Sequence, residues 1–139
     1  MIEVSADLNA AMMQAAINRI DVAGAGFIKL YPAPRAASVA AAPANVSVCT
    51  ITLALPCGTV NATTGALDFN ATDNVGVNGQ ITSANPFTWV RLFDANGAGV
   101  QDFDARLSGA ADAGQELVFS ASAVFVGGFL RLASGGFSA

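Results

Sequence analysis

A mainly β domain, an antiparallel β-sandwich or jelly-roll-like barrel with one N-terminal amphipathic helix, is the fold class this sequence predicts. Three observations carry that prediction. Only residues 7–21 space their apolar side chains as a helix does. From residue 46 the chain becomes a series of short alternating segments, and glycine- and asparagine-rich turn signals separate them. At 139 residues the length fits one domain, with a helical segment at 1–24, an Ala/Pro-rich arm at 32–45 and the β region at 46–139.

The helix rests on Leu8, Met12, Ile17 and Ile20, with Met13, Ala15 and Ala16 beside them. Asn9, Gln14, Asn18, Arg19 and Asp21 form the polar remainder, mostly on other faces. Ser5 or Asp7 can cap its start, and Gly24-Ala25-Gly26 ends the pattern. The run FIKLY (27–31) has the composition of a strand. PAPRAASVAAAPAN follows and lacks an apolar stripe, and its prolines favour extended structure. We expect an extended arm that contacts neighbouring subunits, because it has little core of its own to fold around. Pro32, Pro34, Arg35, Val39 and Pro43 are its candidate interface residues.

In VSVCTITLAL, alternation puts Cys49, Ile51, Leu53 and Leu55 on one face. GTVNATTGALDFN reads as a hairpin turning at Thr63-Thr64-Gly65, with Leu67 and Phe69 on one face, and Asn78-Gly79 signals another turn. FTWVRLFDANGAGVQDFDARL is two strands around a tight reversal, and GAADAGQE is a second turn. LVFSASAVFVGGFLRLAS alternates until Gly127-Gly128, where a bulge or bend is expected before FLRLA continues. In the opening strand of the hairpin, Phe87, Trp89, Arg91 and Phe93 share one face. Both faces of that strand are largely apolar, so core should cover one side and the helix or a neighbour the other. A buried Arg91 then needs an acid, and Asp102 or Asp104 on the next strand is the nearest.

Charged residues make up 12% of the chain, the net charge is −4 and mean hydropathy is +0.52. Ordinary soluble domains carry about 25% charged residues. Either other chains cover much of the surface, or small Ala, Gly, Ser and Thr side chains make a neutral soluble one. Lys29 is the only lysine and the arginines are scattered, which argues against nucleic acid. No apolar run approaches the roughly 20 residues that span a bilayer, so no membrane partner is expected. The start MIEVSADLNA has neither a basic region nor a signal core, and general secretory export is not expected.

Reactive chemistry is sparse. There is no histidine, so the commonest general base and metal ligand is missing and an enzyme is not expected. Asp102 and Asp104 could approach a glycosidase-like separation, but they also read as the polar side of a strand that Arg106 continues. DANGAG (94–99) begins like a calcium loop but lacks its later acidic ligands. Asp94, Asn96, Gly97 and Gly99 are equally what a hairpin needs where φ is positive, so we expect chain reversal and no metal or cofactor. Cys49 and Cys57 would lie over 20 Å apart on one strand, at ~3.3 Å per residue, and are expected as free buried thiols. The Asn-x-Ser/Thr triplets at Asn45, Asn61 and Asn70 read as turn composition. Trp89 and Tyr31 are either core or a sugar platform, with core preferred.

Segment order adds a resemblance. A helix, a strand ending Tyr31-Pro32, a hairpin carrying Gly58, Thr59, Val60, Gly65, Leu67 and Phe69, and a strand with Trp89, Arg91, Asp94 and Gly97 follow one another. This resembles a family of small tailed-bacteriophage structural proteins across most of the chain, departing in the Ala/Pro arm and in GGFLRLASGGF. The resemblance implies a non-enzymatic virion component, such as a capsid decoration (cement) protein on the head lattice. It would meet the major capsid protein or other virion proteins and assemble as a dimer or trimer. Its place would be the virion, and the host cytoplasm during assembly. A tail, head–tail connector or baseplate protein is the alternative within that class. A carbohydrate- or receptor-binding β-module is the alternative outside it.

Overall fold

A computed structural model describes residues 5–70, 79–82, 86–110, 112–121, 126 and 129–137. The chain is mainly β with one N-terminal helix, as its sequence predicts. Helix α1 spans Ala6–Asp21. The strands are β1 (Phe27–Tyr31), β2 (Cys49–Thr52), β3 (Gly58–Val60), β4 (Leu67–Phe69), β5 (Gly79–Gln80), β6 (Trp89–Phe93), β7 (Gly99–Leu107), β8 (Leu117–Ala121) and β9 (Phe129–Phe137). They form one curled sheet in the order β2-β1-β6-β7-β8-β9-β4-β3, with β5 added against β9. All pairs are antiparallel except β7–β8, where Ala105 faces Leu117 in parallel register. The curl brings the sheet's far parts together: Thr82, just after β5, donates its N–H and Oγ1 to the Val48 carbonyl beside β2 (2.8 and 3.2 Å). The result is a half-barrel.

The core lies on the inner side of that curl. Ile28, Leu30, Ile51, Val90, Leu92, Phe103, Leu117, Phe119 and Leu132 meet Met13, Ile17 and Ile20 of the helix there. Ser5 caps α1 by accepting the Leu8 N–H. The buried stripe is Asn9, Met13, Ile17 and Ile20, whereas Leu8 and Met12 are exposed, contrary to the sequence expectation. The β3–β4 turn causes the rotation. Gly65, at φ +73°, brings its backbone against the first turns of α1, and Asn9 Nδ2 donates to the Thr64 carbonyl (3.1 Å). A hydrogen-bonded asparagine is thereby carried inside.

Three further expectations need correction. The β2 alternation ends before Leu55, which is exposed, because the chain turns at Leu55-Pro56. The sequence predicts an antiparallel sheet, but beyond the GAADAGQE segment β8 runs beside β7 in the same direction. Parallel neighbours usually need about a dozen or more connecting residues, and here residues 108–116 suffice. Their ends are tied by Ser108 N–H to the Phe119 carbonyl (2.7 Å) and Asp104 N–H to Glu116 Oε2 (3.1 Å). Finally, the LVFSASAVFVGGFLRLAS segment reverses completely, since β8 and β9 pair antiparallel. Gly127 and Gly128, like Asn78, lie outside the described residues. The C-terminal GGF continues β9 into register with β4, pairing Gly136 with Asp68 and Phe137 with Leu67. A side chain on Gly136 would run into the Leu67 carbonyl, so this strand position accepts glycine alone.

Candidate functional site

The outer face of β1, β6 and β7 concentrates the polar and aromatic groups of the molecule. Register stacks them in rows: Tyr31, Trp89 and Asp104 in one, then Lys29, Arg91 and Asp102, then Phe27 and Phe93. The Tyr31 and Trp89 rings stack at 4.8 Å, and those of Phe27 and Phe93 at 4.9 Å. Lys29 Nζ lies over both phenylalanines, 5.9 and 5.7 Å from their centres. Arg91 and Asp102 form a two-pronged pair, Nε to Oδ1 at 2.8 Å and Nη2 to Oδ2 at 3.1 Å, with both side chains 5% exposed. Of the two acids expected on the adjacent strand, Asp102 and Asp104, it is Asp102 that pairs with Arg91.

What covers this face is not the helix, which packs on the inner side of the sheet. It is the arm, residues 32–45, folded over its own sheet as a strap. Arg91 donates Nη1 to the Ala41 carbonyl (2.7 Å) and Nη2 to the Ser38 carbonyl (2.9 Å), so its guanidinium clamps strap and sheet together. Trp89 Nε1 donates to the Pro32 carbonyl (2.9 Å). Arg35 reaches Asp104 Oδ1 (2.8 Å) and the Asp102 carbonyl (3.1 Å). Val39 rests on Gly99, where a Cβ would stand 3.1 Å from Val39 Cγ1. Gly99 thus makes room for the strap, and positive φ belongs to Gly97 (+85°).

The candidate interface residues divide accordingly. Pro32, Arg35 and Val39 hold the strap to its own sheet, Pro34 is exposed and Pro43 is half-buried. Outward the strap presents small side chains, Ala37, Ala40, Ala42 and Ala44, and then Val46. At its base Pro32, Ala33, Asn45, Pro86 and Thr88 line an open pocket of about 320 Å³.

The other singled-out groups have structural occupations. Asp94 is buried, and its Oδ1 accepts the N–H groups of Asn96 and Ala98 (both 3.0 Å) while Oδ2 accepts from Arg19 at 2.7 Å. These donors, Arg19 foremost, hold its carboxyl below the usual range, and both of its oxygens face N–H groups. Asp102 and Asp104 are each engaged by an arginine. Cys49 and Cys57 are free and buried, and burial pushes both thiols up to about 12, far from a reactive thiolate. Asn61 closes the β3–β4 turn by accepting from Thr63 and Thr64, Asn70 donates to the Pro56 carbonyl, and Asn45 donates to the Ala33 carbonyl. Trp89 is 1% exposed, with Tyr31 on its ring and the Arg91 guanidinium 5.3 Å from its centre, so it offers no sugar platform.

Sequence reasoning missed the strap's anchorage. Arg91 was visible as a cation in need of a partner, but the Ser38 and Ala41 carbonyls belong to the backbone and leave no mark in the sequence. Compared with family models, curated proteins and solved structures, the chain matches none.

Proposed function

We propose that this chain is a non-enzymatic structural component of a bacteriophage particle, a decoration protein on the capsid lattice. One observation supports this best: charged residues make up only 12% of the chain and mean hydropathy is +0.52, which leaves surface for other chains to cover. Some large apolar side chains also stay outside. Val46 just after the strap is 82% exposed, Val22 after the helix 71% and Leu55 at its turn 60%. A lattice component meets neighbours on more than one side, and contiguous burial of such surface drives association. The reactive side chains, by contrast, fasten the fold internally. The partners are the major capsid protein, other virion proteins and further copies of this chain.

The experiment is binding to particles. Purified protein should co-sediment with phage heads that lack it and raise their resistance to heat. Copy numbers on the order of hundreds place it on the head lattice, whereas about six or twelve, as closed rings give, place it in the tail or connector. Absence from particles altogether would overturn the proposal.

A further inference from the structure

We propose that the solvent side of helix α1 is a contact surface for a second copy of this chain, two such helices packing antiparallel about Ala15. The helix is apolar on two opposite sides. Asn9, Met13, Ile17 and Ile20 form its buried side. A second stripe, Leu8, Ala11, Met12, Ala15 and Val22, lies about half a turn away at 3.6 residues per turn, and all five are exposed. Leu8 is 51% exposed and Met12 44%, and Val22 continues the stripe because its backbone keeps helical angles (φ −56°, ψ −35°). A surface helix that met only water on that side would carry polar and charged residues there. The one charge on this side is Arg19, and its guanidinium is drawn off to Asp94 at 2.7 Å. On the flank, Gln14 and Asn18 bond to each other (3.1 Å).

What this stripe fits is a copy of itself. Leu8 precedes Ala15 by seven residues and Val22 follows it by seven. Seven residues are nearly two turns, so each step drifts only about 20° and the three stay in line. An antiparallel copy, related by a two-fold axis beside Ala15, sets Leu8 against Val22 at both ends of the seam and alanine against alanine in the middle. Such reciprocal contacts are what a two-fold interface requires. The small side chains at 11 and 15 admit the axis spacing of about 8–10 Å that packed helices adopt. Charge selects the antiparallel sense. A parallel pair would put Asp7 on Asp7 and Arg19 on Arg19. About Ala15, at 1.5 Å per residue, the two Asp7 side chains stand about 24 Å apart along the axes and the two Arg19 about 12 Å, beyond a Debye length of about 8 Å. The helix dipoles then also oppose each other. A seam one 16-residue helix long is smaller than a standard interface of about 1,600 Å², so the pairing is weak and forms where copies are concentrated.

Cysteine pairing tests both the contact and its register. Leu8→Cys and Val22→Cys are made in separate full-length chains of different mass, mixed at high concentration and oxidised. The heterodimer is expected in about tenfold excess over either homodimer, because the axis brings residue 8 of one copy to residue 22 of the other and keeps the two residues 8 about 21 Å apart. Ala15→Cys alone should give a homodimer, and Asp7→Cys alone should not. Cys49 and Cys57 are buried, so the natural chain is the blank. The substituted positions are exposed, and melting curves check that each variant keeps its fold. Homodimers as abundant as the heterodimer would overturn the inference, as would Ala15→Cys dimerising no faster than Asp7→Cys. The inference rests on the helix and not on the capsid reading, and no particle enters the measurement, so either can fail without the other.

Discussion

Arg91 is the residue on which the outer face turns. It joins three separate segments, β6, β7 and the strap, and it remains charged because Asp102 binds it and stabilises the cation. Removing one member of a buried pair strands the other. Arg91→Met should therefore cost about 3 kcal/mol, and Arg91→Met with Asp102→Leu should recover much of that loss. A double-variant loss equal to the sum of the Arg91→Met and Asp102→Leu losses in urea unfolding would show that the pair is not coupled. Trp89→Ala removes a buried ring and should cost on the order of 3–5 kcal/mol. Asp94 sets an acid limit. Its folded carboxyl titrates below its unfolded value, so its contribution is complete above about pH 4 and is lost as pH falls through the depressed value. Asp94→Asn should flatten that part of the acid profile of the urea midpoint. Chelators should leave the melting temperature unchanged, since the donors around Asp94 are N–H groups; a large drop in EDTA would show a metal ion there instead.

At the scale of elements, the strap and β9 matter most. The strap orders by packing on its own sheet, which changes what its deletion should do. Replacing residues 34–44 with a short Gly/Ser linker should lower the melting temperature and uncover Trp89, raising quenching of its fluorescence by iodide. Unchanged quenching would mean that the strap does not shield the ring. Strand β9 works differently, because it joins β8 to β4 and its Gly135 and Gly136 lie where no side chain fits. Gly136→Val should separate β9 from β4 and destabilise the β3–β4 hairpin, read as faster hydrogen exchange at Leu67 and Phe69. Protection there equal to that of the natural chain would show that the β4–β9 pairing is dispensable.

For the whole molecule, the sequence by itself determined the class of fold, because the period of apolar residues is a local property. Helical spacing marked α1, Ser5 or Asp7 its start, and alternation marked the β3–β4 and β6–β7 hairpins. That Arg91 would pair with Asp102 or Asp104 was legible for the same reason, since a hairpin brings strands adjacent in sequence together, and the register then chose Asp102. The tertiary structure alone decided everything that joins distant segments. It chose Asn9 over Leu8 for the inner side of the helix, because the Gly65 turn presses there and offers a carbonyl. It laid β8 parallel to β7, and it inserted the C-terminal glycines between β8 and β4. Most consequentially, it folded the arm onto Arg91. Alanines, prolines and backbone carbonyls carry no pattern that names a partner, so only the guanidinium waiting on the sheet reveals where that segment belongs.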